Sequence, residues 1–377
     1  MKLYYVVNAR LPNEKAHGIQ IAKTCESFIE AGRDVVLVVP NRQHVAQSMQ
    51  EFYGLRTVVP IVYLPCFDMY TKGRFGFLLS SLSFIMSYLS YFFVKILRGE
   101  KFVFYSVDMD TFSMTLLTLL PRPFFSELHG ARKPNVATNL FFRFGSGIIT
   151  INDAVKEIVR EKFSQSVPVL VESNGVDVAL FDTGISSVEA RTTLQLPGDK
   201  SIALFVGRFY AWKDVGILIE AAAVAPDILW YVIGGSEAAF LRVTGLVTVP
   251  VNLRICGDKP ALEVPLWLAA ADTVLALGTH KNIDSWRFTS PMKVFEYMAS
   301  NRPIVASRTP ALQSILSESE VYFYTPDDAL DMAAKVREAI AHTRREVTER
   351  AHAKALTHAW NKRATRILGF IDKTANV

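Results

Sequence analysis

The sequence predicts an α/β protein built from two doubly wound, Rossmann-like domains, and three observations carry that expectation. Its 377 residues exceed one typical domain and suit two of roughly 150 to 190 residues each. Hydrophobic residues make up 50% of the chain, enough for two cores. Strand-like apolar runs alternate with helix-like segments along nearly its whole length, the pattern of parallel sheets covered on both faces.

In the first half, Leu3–Val7, Val35–Val39, Phe102–Tyr105, Phe124–Glu127 and Gly147–Thr150 read as strands, with helices over Gly18–Glu30 and Asn152–Lys162. The segment Pro168-Val-Leu-Val-Glu-Ser-Asn-Gly-Val-Asp177 leads towards Pro197-Gly198, and beyond it the alternation restarts. The second set of strands is Ile202–Val206, Leu229–Ile233, Leu253–Ile255, Thr273–Leu277, Pro303–Ala306 and Val321–Tyr324. The boundary therefore falls near 170, with domains over 1–170 and 171–350. Helical stretches over 327–345 and 346–372 close the chain, Trp360 being an apolar anchor among Lys362, Arg363 and Arg366. The terminal helix, about 355–377, is expected to pack back on the first domain.

The uncharged stretch Phe75–Val94, between Arg74 and Lys95, is long enough on its own to suggest a membrane span. Its serines argue otherwise: Ser80, Ser83, Ser87 and Ser90 recur at three- and four-residue spacing, as in a helix with one more polar stripe. The expectation is a buried or membrane-touching domain helix, since its flanks read as parts of one soluble sheet.

Composition narrows the function classes. Cys25, Cys66 and Cys256 lie far apart without Cys-x-x-Cys spacing, against a zinc site or disulfide framework and in favour of a reducing cytoplasm. The N-terminal Met1-Lys-Leu-Tyr-Tyr-Val-Val-Asn8 runs straight into a strand without the parts of a signal peptide, so secretion is not expected. Residues 1–170 hold 19 Lys and Arg against 13 Asp and Glu, and the remainder 22 against 23, so the excess of +5 comes from the first half. That half could face an acidic acceptor or an anionic membrane. With no Lys/Arg run or recognised motif, nucleic-acid binding is not expected.

Two segments about eighty residues apart set cations at turns before predicted helices: Leu204-Phe-Val-Gly-Arg-Phe-Tyr-Ala-Trp-Lys213 and Ser290-Pro-Met-Lys-Val-Phe-Glu296. In an open α/β sheet, ligands sit outside the carboxyl ends of strands, where helix N-termini favour phosphate. Val206-Gly207 ends a strand, Arg208 and Lys213 follow in the loop, and Asp214 begins the helix Val215–Val224. Five residues between two cations let both reach one diphosphate. In the second segment Ser290 reads as an N-cap and Pro291 as the first helical residue, with Lys293 in the first turn and Glu296 one turn on. A cation there opposes the helix dipole, which points to an anion nearby.

At this point the chain resembles glycosyltransferase family 4, retaining nucleotide-sugar glycosyltransferases with the GT-B fold, two Rossmann-like domains facing a central cleft. The resemblance runs through Ala16-His-Gly-Ile-Gln20, Leu128-His-Gly130, Ser173-Asn-Gly-Val-Asp177, Val206-Gly-Arg-Phe209 with Trp212-Lys213, Gly234-Gly235, Ala271-Asp272, Ser290-Pro-Met-Lys-Val-Phe-Glu-Tyr-Met-Ala299 and Arg302-Pro-Ile-Val-Ala-Ser307. It implies that the first domain binds acceptor and the second a nucleotide-sugar donor. Arg208 and Lys213 would neutralise the donor diphosphate and the leaving group. Glu296 would hold the donor ribose, Gly18, in the loop after the first strand, would let backbone approach phosphate, and His129 would face the transferred sugar. Gly207, Gly235, Ser290, Met292 and Lys293 complete the implied donor site. Taken without the resemblance, His129 at a strand end reads as a structural hydrogen-bonder.

The turn Asn174-Gly175-Val176-Asp177 resembles the family's entry into the second domain, Gly supplying positive φ and Asp a cap. Where many members carry a second glutamate eight residues before Glu296, this chain has Phe288, as in a branch with a Ser-Pro-x-Lys-x-Phe-Glu motif; Asp284 is a nearby substitute. Asp108-Met-Asp110 resembles the metal site of a different glycosyltransferase fold, but it follows a strand of the first domain and reads as a loop pair. No cofactor or essential metal is expected, because protein cations would neutralise the diphosphate. The expected acceptor is a glycan or lipid-linked intermediate of cell-surface polysaccharide or glycolipid synthesis, handled by a cytoplasmic enzyme peripheral to an anionic membrane surface. A nucleotide-sugar epimerase of similar shape and a non-catalytic membrane-associated relative are the alternatives.

Overall fold

The computed structural model describes residues 1–42, 47–107, 110–342 and 344–375. The chain divides into two compact units, Met1–Ser173 with Trp360–Val377, and Asn174–Ala359.

Among the described residues, the first unit is built on a seven-stranded parallel sheet. Its strands are β1 (Lys2–Val6), β2 (Val35–Pro40), β3 (Ile61–Leu64), β4 (Phe102–Val107), β5 (Phe124–Leu128), β6 (Gly147–Thr150) and β7 (Val169–Val171), in the order β3-β2-β1-β4-β5-β6-β7. Side chains alternate across a strand. Leu3 and Tyr5 therefore join Ile21, Cys25 and Phe28 of the Ala16–Glu30 helix and Ile367 and Ile371 of the Trp360–Thr374 helix on one face. Tyr4 points to the other, edge-on to Phe92 and Phe102 with ring centroids 5.1 and 5.0 Å away.

The second unit carries a six-stranded parallel sheet of β8 (Ser201–Val206), β9 (Ile228–Ile233), β10 (Leu253–Ile255), β11 (Thr273–Ala276), β12 (Ile304–Ser307) and β13 (Tyr322–Tyr324), ordered β10-β9-β8-β11-β12-β13. Ile202, Leu204 and Val206 face Trp267, Phe295 and Met298, while Ala203 and Phe205 face Leu218, Trp230 and Val336. Strand order reverses between β1 and β4 in one unit and between β8 and β11 in the other, the places where open α/β sheets take ligands.

Four local expectations are corrected. β3 and β7 escaped the pattern because they are short edge strands beside Pro60, Pro65 and Pro168, with too few residues to express a period. The helix expected over 346–372 is two helices, Arg345–Thr357 and Trp360–Thr374. No Pro or Gly marks this break; Val176 bridges Ala359 and its N–H donates to the His358 carbonyl. Arg363, grouped with the charges around Trp360, is fully buried.

The polar stripe expected of Ser80, Ser83, Ser87 and Ser90 on the Gly73–Leu97 helix turns mostly inward, only Ser90 of the four being exposed. Ser80 and Ser81 are buried, the Ser83 hydroxyl accepts from the Phe67 N–H, and Ser87 donates to the Pro65 carbonyl. Most of the small hydroxyls sit where the helix meets the sheet and the preceding loop, and the outward face is apolar apart from Ser90.

Candidate functional site

In the second unit, β8 delivers Gly207 and an exposed Arg208 to its carboxyl end. A helical turn, Ala211–Lys213, follows, and Asp214 adopts a left-handed conformation at φ 51°. The helix therefore starts at Ile217, later than the expected Val215. Arg208 has no ion-pair partner among the described residues. The Lys213 ammonium lies 5.3 Å from the Trp212 ring centroid and 5.5 Å from that of Tyr210, the two rings stacked at 13°. Burial, and then the positive charge of Lys293, pull Lys213 down to about 8 from the usual 10.5.

Gly234 and Gly235, after β9, have φ of 130° and 156°. A Cβ on Gly234 would stand 2.3 Å from the Gly207 carbonyl oxygen, and one on Gly235 2.7 Å from the Phe209 ring. The glycines let the two strand-end turns lie against each other.

The second segment differs from expectation at its start. The helix spans Met292–Ala299, with Pro291 in the N-cap position at ψ 125° and Ser290 outside it. Pro291 is itself extended and takes the N-cap position, so the helix begins one residue later and Ser290 does not cap. Its carbonyl instead accepts from Asn174 Nδ2 at 2.7 Å, and its buried hydroxyl has no hydrogen-bond partner among the described residues. Lys293 Nζ sits 2.5 Å from Glu296 Oε2, so the cation in the first turn already faces a carboxylate. Tyr297 joins the two segments: its hydroxyl accepts from the Val206 N–H and donates to the Val206 carbonyl, both at 3.0 Å. Phe288 is buried and Asp284 exposed on the Asp284–Phe288 turn. Gly175 is not among the positive-φ glycines and Asp177 makes no side-chain cap bond, so neither role expected of that turn is seen; Asn174 instead ties it to Ser290.

Gly18 and His129 belong to the first unit. Gly18 lies inside the Ala16–Glu30 helix rather than in a loop. Its hydrogen faces Tyr53 Oη, 2.3 Å from where a Cβ would stand, and Tyr53 exchanges hydrogen bonds with the Asn13 backbone. The glycine thus packs the Asn13 loop. Asp108 lies outside the described residues; Asp110 caps the Thr111–Thr115 helix and accepts from Asn8 Nδ2 at 3.1 Å.

His129 is held by Glu127, with Nε2 at 2.6 Å from Oε1. The same oxygen accepts from Gln20 Nε2 at 2.8 Å and Arg363 Nη2 at 2.5 Å, and Oε2 accepts from the Tyr105 hydroxyl at 2.6 Å. Burial alone would push the Glu127 carboxyl up; the Arg363 guanidinium, then His129, reverse this and hold it below the usual carboxylate range. An ionised carboxylate only accepts, so Nε2 carries a proton and Nδ1 is left as the second ring nitrogen. Neighbouring His17 is brought down to about 4 by burial, then by Lys15 and His129, and is neutral at neutral pH.

Glu127, Arg363, Gln20, Tyr105, Tyr297 and Asn174 were missed in the sequence. One signal was legible: Glu127 sits in the run Phe-Phe-Ser-Glu-Leu of a strand expected to be covered on both faces, where a carboxylate needs a partner.

Residues 200–342 match the family model described as "Glycosyl transferases group 1". Every second-unit candidate falls inside that stretch, and His129 and Gly18 fall outside it. A D-inositol 3-phosphate glycosyltransferase of Mycobacterium leprae is 26% identical over 166 residues, 44% of this chain and 38% of that protein. The chain spans about half or less of the length of the curated relatives it matches. The sucrose-phosphate synthase of Thermosynechococcus elongatus superposes with a TM-score of 0.79 at 16% identity, covering 99% of this chain and 98% of that one. An Anabaena protein, Alr3699/HepE, solved in complex with UDP and glucose, gives 0.72 at 17%, covering 99% and 100%. At these identities the likeness establishes the fold, two parallel-sheet α/β domains of the GT-B class.

Proposed function

We propose that the chain is a retaining glycosyltransferase, moving a hexosyl group from a nucleotide-diphosphate sugar to a glycan or lipid-linked acceptor. The observation that carries this reading is the pair Lys213 and Lys293, two cations near enough for one to depress the other, at the carboxyl end of β8 and the first turn of a helix. With exposed Arg208 in the same strand-end turn, they form a site that an anion completes. UDP is the first nucleotide to test, given the ligand of the Anabaena protein.

In this reading Arg208 and Lys213 hold the diphosphate and stabilise the charge that grows on it as the glycosidic bond breaks. Glu296 leaves Lys293 to accept from the ribose hydroxyls, which frees the Lys293 ammonium for phosphate. Gly207 and Gly235 keep the turn low, and Ser290 and Met292 flank the helix start. His129, its Nε2 proton held by Glu127, presents its other nitrogen to a hydroxyl of the transferred sugar. No protein nucleophile is assigned. The departing phosphate takes the acceptor proton on the same face, which retains the anomeric configuration. The protein cations do the neutralising here, so an essential metal is not expected. The first unit would bind acceptor, and the enzyme would work in the cytoplasm at the inner membrane face, in polysaccharide or glycolipid synthesis.

The test is a thermal-shift screen with UDP, GDP, ADP, CMP and their sugar conjugates, followed by NMR of the product anomer. Ligand at a hundredfold excess over its dissociation constant stabilises by about 2.7 kcal/mol, and R208A and K213A should abolish the shift. No shift with any nucleotide sinks the proposal. An inverted product removes retention, and release of an isomerised sugar without acceptor marks an epimerase.

A further inference from the structure

The Gly73–Leu97 helix has two unlike faces. One, with Ser81, Phe84, Tyr88 and Phe92, is buried on the first unit's sheet, and the Tyr88 hydroxyl donates to the Ser113 carbonyl at 2.8 Å. The other exposes Phe75, Leu78, Leu82, Met86, Phe93 and Leu97. At about 100° per residue these six fall within an arc of about 100°, a single stripe about 33 Å long. Exposed Phe67 widens it, since its N–H is fixed to Ser83 of the same helix at 2.9 Å. An exposed apolar surface of this extent marks an interaction site.

Charge selects the occupant. No acidic residue occurs between Asp68 and Glu100, while Lys72, Arg74 and Arg98 are exposed at the two ends of the stripe. A second copy would bring like charges together, whereas an anionic lipid surface accepts both the apolar stripe and its cations. A span is not compatible with the packing, because the opposite face belongs to the sheet core.

We propose that this helix lies flat on an anionic lipid bilayer, its stripe set into the headgroup boundary. The inference deepens the reading of a membrane-presented acceptor and rests on it, though lipid and nucleotide binding are separate measurements.

Co-flotation of the full chain with extruded vesicles tests it, using phosphatidylcholine alone or mixed with phosphatidylglycerol. The protein should float with the anionic vesicles at low salt and be released by added salt. M86E/F93E should weaken binding at least tenfold, and K72Q/R74Q roughly fivefold per cation removed. Both variants change exposed side chains, so melting temperature and the UDP shift should be retained; M86Q/F93Q provides an uncharged control. Wild type that stays soluble with anionic vesicles overturns the proposal. So does undiminished binding by M86E/F93E, or a dimer in sedimentation velocity that this variant dissociates. If vesicles bind and no nucleotide does, the transferase reading falls and the lipid surface stands.

Discussion

Replacing Glu127 with glutamine keeps the shape of a fully buried side chain and removes its charge. The Arg363 guanidinium, also buried, then has only neutral acceptors here, the Ser173 carbonyl at 2.8 Å from Nε and the new amide oxygen, and loses the Glu127 charge. Removing one partner of a buried pair costs about 3–5 kcal/mol, because the other charge stays in a poorly polarisable interior. At about 2–4 °C per kcal/mol for a domain of this size, the first unit should melt roughly 6–20 °C lower in calorimetry at pH 7. E127Q/R363M, which takes away both charges, should recover much of the loss. The pH dependence has a definite sign. The Glu127 carboxyl is held below its unfolded value of 4.5, so its contribution is complete above that pH and fades as pH falls towards the folded value. The gap between wild type and E127Q should therefore narrow on acidification below about 4.5. A variant within about 1 kcal/mol of wild type, with a gap flat in pH, would refute the account of this pair.

Three further outcomes are expected. Because Lys213 loses its proton near 8, UDP affinity by calorimetric titration should fall as pH rises through that value, and K293Q should move the fall to higher pH. Without ligand the same depressed group makes the folded state bind fewer protons than the unfolded one between about 8 and 10.5, so stability should rise with pH in that window. Tyr297→Phe strands the Val206 N–H and carbonyl, which should cost about 1–3 kcal/mol in urea unfolding and weaken UDP binding as the two segments uncouple. Gly18→Ala forces a methyl against Tyr53 Oη and should cost about 1–3 kcal/mol; adding Tyr53→Phe should return part of it, and no loss in G18A would remove the packing role.

The two doubly wound α/β domains were legible because alternation of apolar runs is a local property, printed wherever a strand is covered on both faces; the GT-B class followed only from the resemblance of the motifs. The two cation-bearing turns were legible for a similar reason: a strand end, a glycine and a basic residue follow one another in the chain. Legibility failed where a distant contact decided the outcome. Nothing within 358–360 announces a break, which comes from a hydrogen bond to Val176. Ser290 carries the residue type of a helix cap, yet the proline beside it and Asn174, over a hundred positions earlier, set its geometry.

The sequence by itself determined the α/β alternation, the placement of Arg208, Lys213 and Lys293 at strand and helix ends, and the length of the apolar helix. The tertiary structure alone decided which way that helix turns, with Ser80, Ser81, Phe84 and Phe92 inward and Phe75, Met86 and Phe93 outward, and what holds His129. Periodicity says that a helix has two faces but not which one meets the sheet. The Glu127 cluster gathers side chains from positions 20, 105, 127, 129 and 363, and only folding brings those charges and dipoles within hydrogen-bond reach.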